Sequence, residues 1–142
     1  MELTWDTNNV DLDLHLLQNT SASLFDVPDD CNWCNKNPDW GEAGASDDPR
    51  LDLDDLADGP ENINVLSPAD GAYPVVVHYF DPIGGPATTA TVTVWLDGVE
   101  VFRDSQILTR NEVWEVGQVN WPQATFGVYP VDIQDATRRQ CQ

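Results

Sequence analysis

Cationic side chains are what this sequence has least of. Its 142 residues hold 6 Lys and Arg against 25 Asp and Glu, for a formal net charge of −19. Nucleic-acid binding is excluded as a class, because neutralising phosphates takes clustered Lys and Arg. An anionic membrane surface is excluded on the same ground. No apolar run is long enough to cross a bilayer, so membrane insertion is not expected. No signal peptide is visible. Met1-Glu2 runs directly into the strand-like Leu3-Thr4-Trp5, which reads as a domain excised from a longer chain with an initiator Met added. There is no G-x-S-x-G and no H-E-x-x-H, so the common serine-hydrolase and zinc-protease signatures are missing.

Cysteine is also sparse, and its count of 3 is odd, so full pairing within the chain is impossible. Cys31-Asn32-Trp33-Cys34 has the C-x-x-C spacing. Three readings stay open: a local Cys31–Cys34 disulfide or a pair of quiet thiols, a bond from one of them to Cys141, or zinc or redox chemistry. The last would need further soft ligands or a βαβ context.

High net charge alone would suit a disordered chain. Six Trp and 41% hydrophobic residues argue for a packed core instead. The length suits one domain. The expected organisation is a single domain over residues 1–136 with a flexible tail at 137–142, where Thr137-Arg138-Arg139-Gln140-Cys141-Gln142 shows no element pattern.

What the chain does have is carboxylate, concentrated in Asp47 to Asn62. Arg50-Leu51-Asp52-Leu53-Asp54 alternates, so it reads as a short strand with Leu51 and Leu53 on one face and Asp52 and Asp54 on the other. Asp58-Gly59-Pro60-Glu61 then turns the chain and lets Glu61 swing back toward the same place. Oxygen donors at variable spacing suit calcium, which takes about 6–8 oxygens in flexible geometry. A solvated acidic loop is the competing reading. A standard EF-hand is ruled out, because Leu56 stands at a ligand position and the glycine is misplaced.

Val10 to Leu17 is a second alternating strand. It sets Asp11, Asp13 and His15 on one face and Leu12, Leu14 and Leu16 on the other. Two Asp at i and i+2 can reach one ion together, and an exposed polar face reads equally well. From Gln18 to about Asp48 the chain has Pro, Gly and acids but no periodicity. So long an irregular stretch is uncommon unless it is functional or disordered. Its Trp33 and Trp40 argue for order, and Asp29, Asp30, Asp39, Asp47 and Asp48 are candidate ligands for a second calcium there. Beyond Asn62 the pattern is β throughout, and Asp97-Gly98 between two apolar runs predicts a type I′ hairpin. The fold class expected is all-β, an antiparallel β-sandwich of about eight or nine short strands with one long acidic, metal-ordered loop. Trp95, Phe102, Trp114 and Trp121 are read as core aromatics.

The string Leu3-Thr4-Trp5-Asp6-Thr7-Asn8-Asn9-Val10-Asp11-Leu12-Asp13-Leu14-His15-Leu16 resembles the opening of the YfaP-like β-sandwich domains of bacterial extracytoplasmic proteins. Asp30-Cys31-Asn32-Trp33, Asn37-Pro38-Asp39-Trp40-Gly41, Gly59-Pro60-Glu61-Asn62-Ile63 and Trp114-Glu115-Val116 continue it, to about Pro122. The resemblance implies a module of a larger surface or periplasmic protein. It also implies that Asp11, Asp13, Asp54 and Glu61 act together. Here Leu56-Ala57-Asp58-Gly59 is shorter than the Thr-Asp-Gly-aromatic-Gly run usual in that family, which affects the geometry around Asp58.

The functional expectation is a calcium-binding, non-catalytic extracellular module for adhesion or ligand binding. Its metal ligands are drawn from Asp11, Asp13, Asp52, Asp54, Asp58 and Glu61 and from the loop acids. Trp33, Trp40, Tyr79 and Phe80 are the candidates for exposed recognition aromatics, with a carbohydrate or a surface protein as partner. The alternatives are a calcium-rigidified spacer domain, or a glycoside hydrolase built on a carboxylate pair.

Overall fold

The computed structural model describes residues 1–44, 46–80 and 85–136. The 137–142 tail and Cys141 lie outside the described residues, as does most of the loop after Phe80. Among the described residues eleven strands form two antiparallel sheets, which together make a β-sandwich. In the first sheet β4 (Arg50–Leu53), β5 (Glu61–Asn64), β1 (Glu2–Trp5), β7 (Thr88–Leu96) and β8 (Val99–Leu108) lie side by side in that order. The second runs β10 (Thr125–Val128), β9 (Glu112–Trp121), β6 (Gly71–Tyr79), β2 (Leu12–Leu17), β3 (Asp30–Cys31), with β11 (Ile133–Asp135) also on β9. Among the described residues no helix is long and apolar enough to cross a membrane.

The count exceeds the expected eight or nine for two reasons. The last β stretch of the chain is two strands, β10 and β11, separated by Pro130, which has no N–H to give to a ladder. The long loop also contributes the two-residue β3, which pairs Leu16 with Cys31 and Leu17 with Asp30. The β7–β8 hairpin turns as expected at Asp97 and Gly98, both at positive φ (49° and 77°).

Alternation places Leu12, Leu14 and Leu16 of β2 in the core between the sheets, with Leu3, Ile63, Val75, Val77 and Trp114. Of the other expected core aromatics, Phe102 and Trp121 are partly buried against this core and Trp95 is exposed. The opposite face of β2 is buried as well, because the segment after it folds back over the sheet. Leu17, Val76 and Val113 pack there with Ala22 and Leu24. Burial on both faces rules out the reading of β2 as an exposed polar strand. The edge strand β8 is far more open, with Val99, Val101 and Ile107 exposed.

The alternation expected at Leu51 and Leu53 is broken. β4 and β5 pair Leu51 with Ile63 and Leu53 with Asn62, so Asp52 is the extra residue of a β-bulge. A bulge bends the strand and re-aims the side chains beyond it. Leu51 is buried but Leu53 is 51% exposed. Asp52 and Asp54 are consequently not side by side on one face: the Asp52 side chain is 40% exposed and the Asp54 side chain 14%.

Candidate metal centre

The D-L-D-L-H-L alternation points Asp13 and His15 away from the inter-sheet core, and the register of β2 with β6 sets His78 directly opposite Asp13. Asp13 is 2% exposed, and His15 and His78 are both at 0%. The Oδ2 of Asp13 lies 3.4 Å from Nδ1 of His78. Candidate ligand atoms of Asp13, His15 and His78 all fall within 4.8 Å of one another, the one such group among the described residues.

His15 is held from behind. Its Nδ1 donates to Asp30 Oδ2 at 2.8 Å, and the same oxygen accepts the Phe25 N–H at 2.6 Å. A carboxylate oxygen can only accept, so Nδ1 carries a proton, and in the neutral ring Nε2 carries the lone pair. That Nε2 is buried and makes no hydrogen bond. Burial opposes a charge on His15, but the Asp30 carboxylate and then Asp13 outweigh it and raise its pKa above the ordinary value. Phe25 lies edge-on to both imidazoles, at 4.9 Å from His15 and 5.5 Å from His78. It does so at a φ of +63°, which a bulky side chain rarely adopts.

A carboxylate arm adjoins this group. Glu61 pairs with Leu3 across β1–β5, so its side chain enters the space between the sheets. It is 1% exposed. Oε2 accepts the Leu14 N–H at 2.5 Å, and Oε1 has no partner. Burial, and after it the charge of Asp13, push the Glu61 pKa up to about 10; the Leu14 N–H pulls it down, and the neighbouring Asp54 raises it further. Asp54 gives one oxygen to Lys36 Nζ, and its other oxygen is buried without a hydrogen bond. Buried carboxylates this close require a proton or a cation between them.

The remaining expected ligands are placed otherwise. Asp11 is half-buried at the start of β2. Asp52, on the bulge, takes Asn64 Nδ2 at 2.6 Å, and exposed Asp58 accepts the Asn9 N–H at 3.4 Å. In the long loop the acids hold backbone: Asp39 accepts from Gly44, Asp47 from Glu42 and Asp48 from Trp40. Asp29 is half-buried beside Asp30, whose Oδ2 is taken by His15 and Phe25 while its Oδ1 is buried without a hydrogen bond.

The expectation of exposed aromatics needs correction. Tyr79 is wholly buried and donates its hydroxyl to Pro86 O. Trp40 is buried and stacks on Tyr73, with its Nε1–H on Pro28 O. Both rings are core because their polar tips find backbone acceptors inside. Trp33 is half-buried, 5.9 Å from the ring of Phe80, itself half-buried. The local Cys31–Cys34 disulfide is also corrected: Cys34 is disulfide-bonded, but Cys31 is a free buried thiol.

Both histidines of this group fall outside the expected ligands, which are all carboxylates. His15 stands on the Asp13 face of β2, and only the β2–β6 register brings His78 to Asp13. No family model, curated protein or solved structure matches this chain.

Proposed function

We propose that this chain is a calcium-ordered, non-catalytic β-sandwich module that serves adhesion or ligand binding outside the cytoplasm, as its resemblance to YfaP-like modules implies. One observation carries the calcium reading: Glu61 is buried with Oε1 unpartnered, beside Asp54, whose Oδ1 is also buried without a hydrogen bond, and within reach of the charge of Asp13. Oxygen donors of this kind suit a hard cation, and the net charge of −19 favours uptake of cations generally. Burial of Glu61 and Asp13, at 1% and 2% exposure, supports the non-catalytic reading, since a substrate would have to reach them. Burial of Trp40 and Tyr79 favours a second reading, a calcium-rigidified spacer without a recognition surface of its own.

Thermal unfolding in calcium, magnesium and excess EDTA tests the proposal. A cation that binds only the folded chain adds about 2.7 kcal/mol at a hundredfold excess over Kd. The expected result is a calcium-specific rise in Tm that EDTA reverses. An unchanged Tm at every calcium concentration would sink it. A glycan array then separates recognition from spacing.

A further inference from the structure

We infer that His15, His78 and Asp13 form a second, chemically distinct metal site, an imidazole-rich pocket for a d-block divalent cation of the zinc class, with Asp30 as its positioning residue. The donor set argues for this class. Calcium takes oxygen ligands, whereas imidazole nitrogen suits zinc, copper, nickel and iron. Zinc bonds of about 2.0–2.2 Å in a tetrahedron put neighbouring ligand atoms about 3.4 Å apart. One pair has that spacing, Asp13 Oδ2 and His78 Nδ1 at 3.4 Å, and a His15 ligand atom lies within 4.8 Å of the other two residues' ligand atoms.

His15 supplies an independent observation. Its ring is wholly buried, and its Nε2 makes no hydrogen bond. A buried histidine serving only as packing would find a donor for that lone pair, as buried polar atoms generally do. Its other nitrogen is fixed by Asp30 at 2.8 Å. A carboxylate on the far nitrogen is the arrangement that fixes the tautomer and orientation of metal-binding histidines and makes the ligating nitrogen a stronger donor. Phe25, tied to the same Asp30 oxygen, packs edge-on against both rings and helps hold them in place. Three protein ligands leave the fourth position to a water molecule. Asp13 belongs to this pocket, and Glu61 also feels its charge. The inference nonetheless stands apart from the calcium proposal, because its nitrogen ligands are not part of the carboxylate arm.

The test titrates the metal-stripped chain with Co²⁺ as a coloured substitute for Zn²⁺. A saturable visible absorption, bleached by Zn²⁺ and not by calcium, is expected. His78→Gln removes it, whereas Glu61→Gln leaves it intact while removing the calcium-dependent rise in Tm. Asp30→Asn weakens Zn²⁺ binding about 10–100-fold, and Asp30→Glu restores part of it. If His78→Gln does not fold, the imidazole ¹⁵N shifts of the unsubstituted chain decide. Addition of Zn²⁺ moves the His15 Nε2 resonance while Nδ1 stays protonated. No saturable absorption, the same absorption in a folded His78→Gln variant, or unmoved imidazole shifts would overturn the inference. A calcium response without a Co²⁺ spectrum removes this site alone, and the converse removes the calcium proposal alone.

Discussion

Glu61 of one sheet holds Leu14 of the other: its Oε2 accepts the Leu14 backbone N–H at 2.5 Å across the interior of the sandwich. The pairing of β2 with β3 covers only Leu16 and Leu17, so Leu14 has no strand neighbour on that side. The carboxyl group replaces the missing strand at one position. It does so from a place where its own ionisation is disfavoured.

Substitution at Glu61 separates these two roles. Glu61→Gln keeps an acceptor for the Leu14 N–H and, in EDTA, is expected to leave stability within about 1 kcal/mol of the parent. Glu61→Leu strands that N–H, at a further cost of about 1–3 kcal/mol. Urea unfolding of the two variants measures the difference. Equal midpoints would mean that the hydrogen bond contributes nothing.

The pH dependence comes from the direction of the shift. Glu61 has a folded pKa raised from 4.5 to about 10, so across that range the metal-free folded state binds more protons than the unfolded state. Stability therefore falls as pH rises. The contribution is complete below 4.5 and is lost as pH climbs toward 10. His15 acts in the same sense, since its raised pKa gives stability present below 6.5 and lost above its folded value. The urea midpoint in EDTA should decline steadily from mildly acidic to alkaline pH. On the calcium proposal, bound calcium favours the ionised carboxylate and should flatten the decline. A midpoint that climbs with pH in EDTA would contradict the assigned burial of Glu61.

Two glycines at positive φ differ in their surroundings. A Cβ at Gly98 (φ +77°) meets nothing within 4 Å, so Gly98→Ala costs only the backbone term, about 1–2 kcal/mol. A Cβ at Gly59 (φ +66°) comes to 3.0 Å from the Trp5 ring. Gly59→Ala therefore adds overpacking of about 1–3 kcal/mol, at the turn that delivers Glu61. Denaturant midpoints should rank the parent above Gly98→Ala and that above Gly59→Ala.

Cys31 should be silent in the native protein. Burial, helped by the charge of Asp30, pushes its thiol up to about 12, and reactivity requires an accessible thiolate. Mass spectrometry after iodoacetamide treatment should find Cys31 unmodified in buffer and alkylated in urea. Rapid native labelling would place the thiol at the surface.

The strands were legible wherever the pattern was local. D-L-D-L-H-L, Asp97-Gly98 and the runs of Val and Thr each announce a period of two or a turn within a few residues. Most of the acidic segment's outcome was not local. A single inserted residue at Asp52 sends Leu53 outward, and no alternation reveals a bulge. The proximity of Glu61 and Asp13 was suggested by the motif string. The juxtaposition of His78 with Asp13 depends on register between strands more than sixty residues apart, and the period of two alone cannot supply that. Trp40 and Tyr79 were misjudged because a flanking acid or loop says little about burial when the ring's polar tip can bond backbone inside the fold.

The open face of β8 has a consequence for how copies of this protein meet. Ten residues of edge strand, with Val99, Val101 and Ile107 exposed, offer a row of backbone groups on which another chain's strand can extend the sheet. What opposes that meeting is long-range repulsion between bodies that each carry a charge of −19. Such repulsion fades beyond about 8 Å at physiological ionic strength and weakens further as salt is added. Colloidal behaviour is thus governed by the ionic atmosphere: dilute buffer keeps the copies apart, and concentrated salt or bound cations bring the β8 edges within reach of one another.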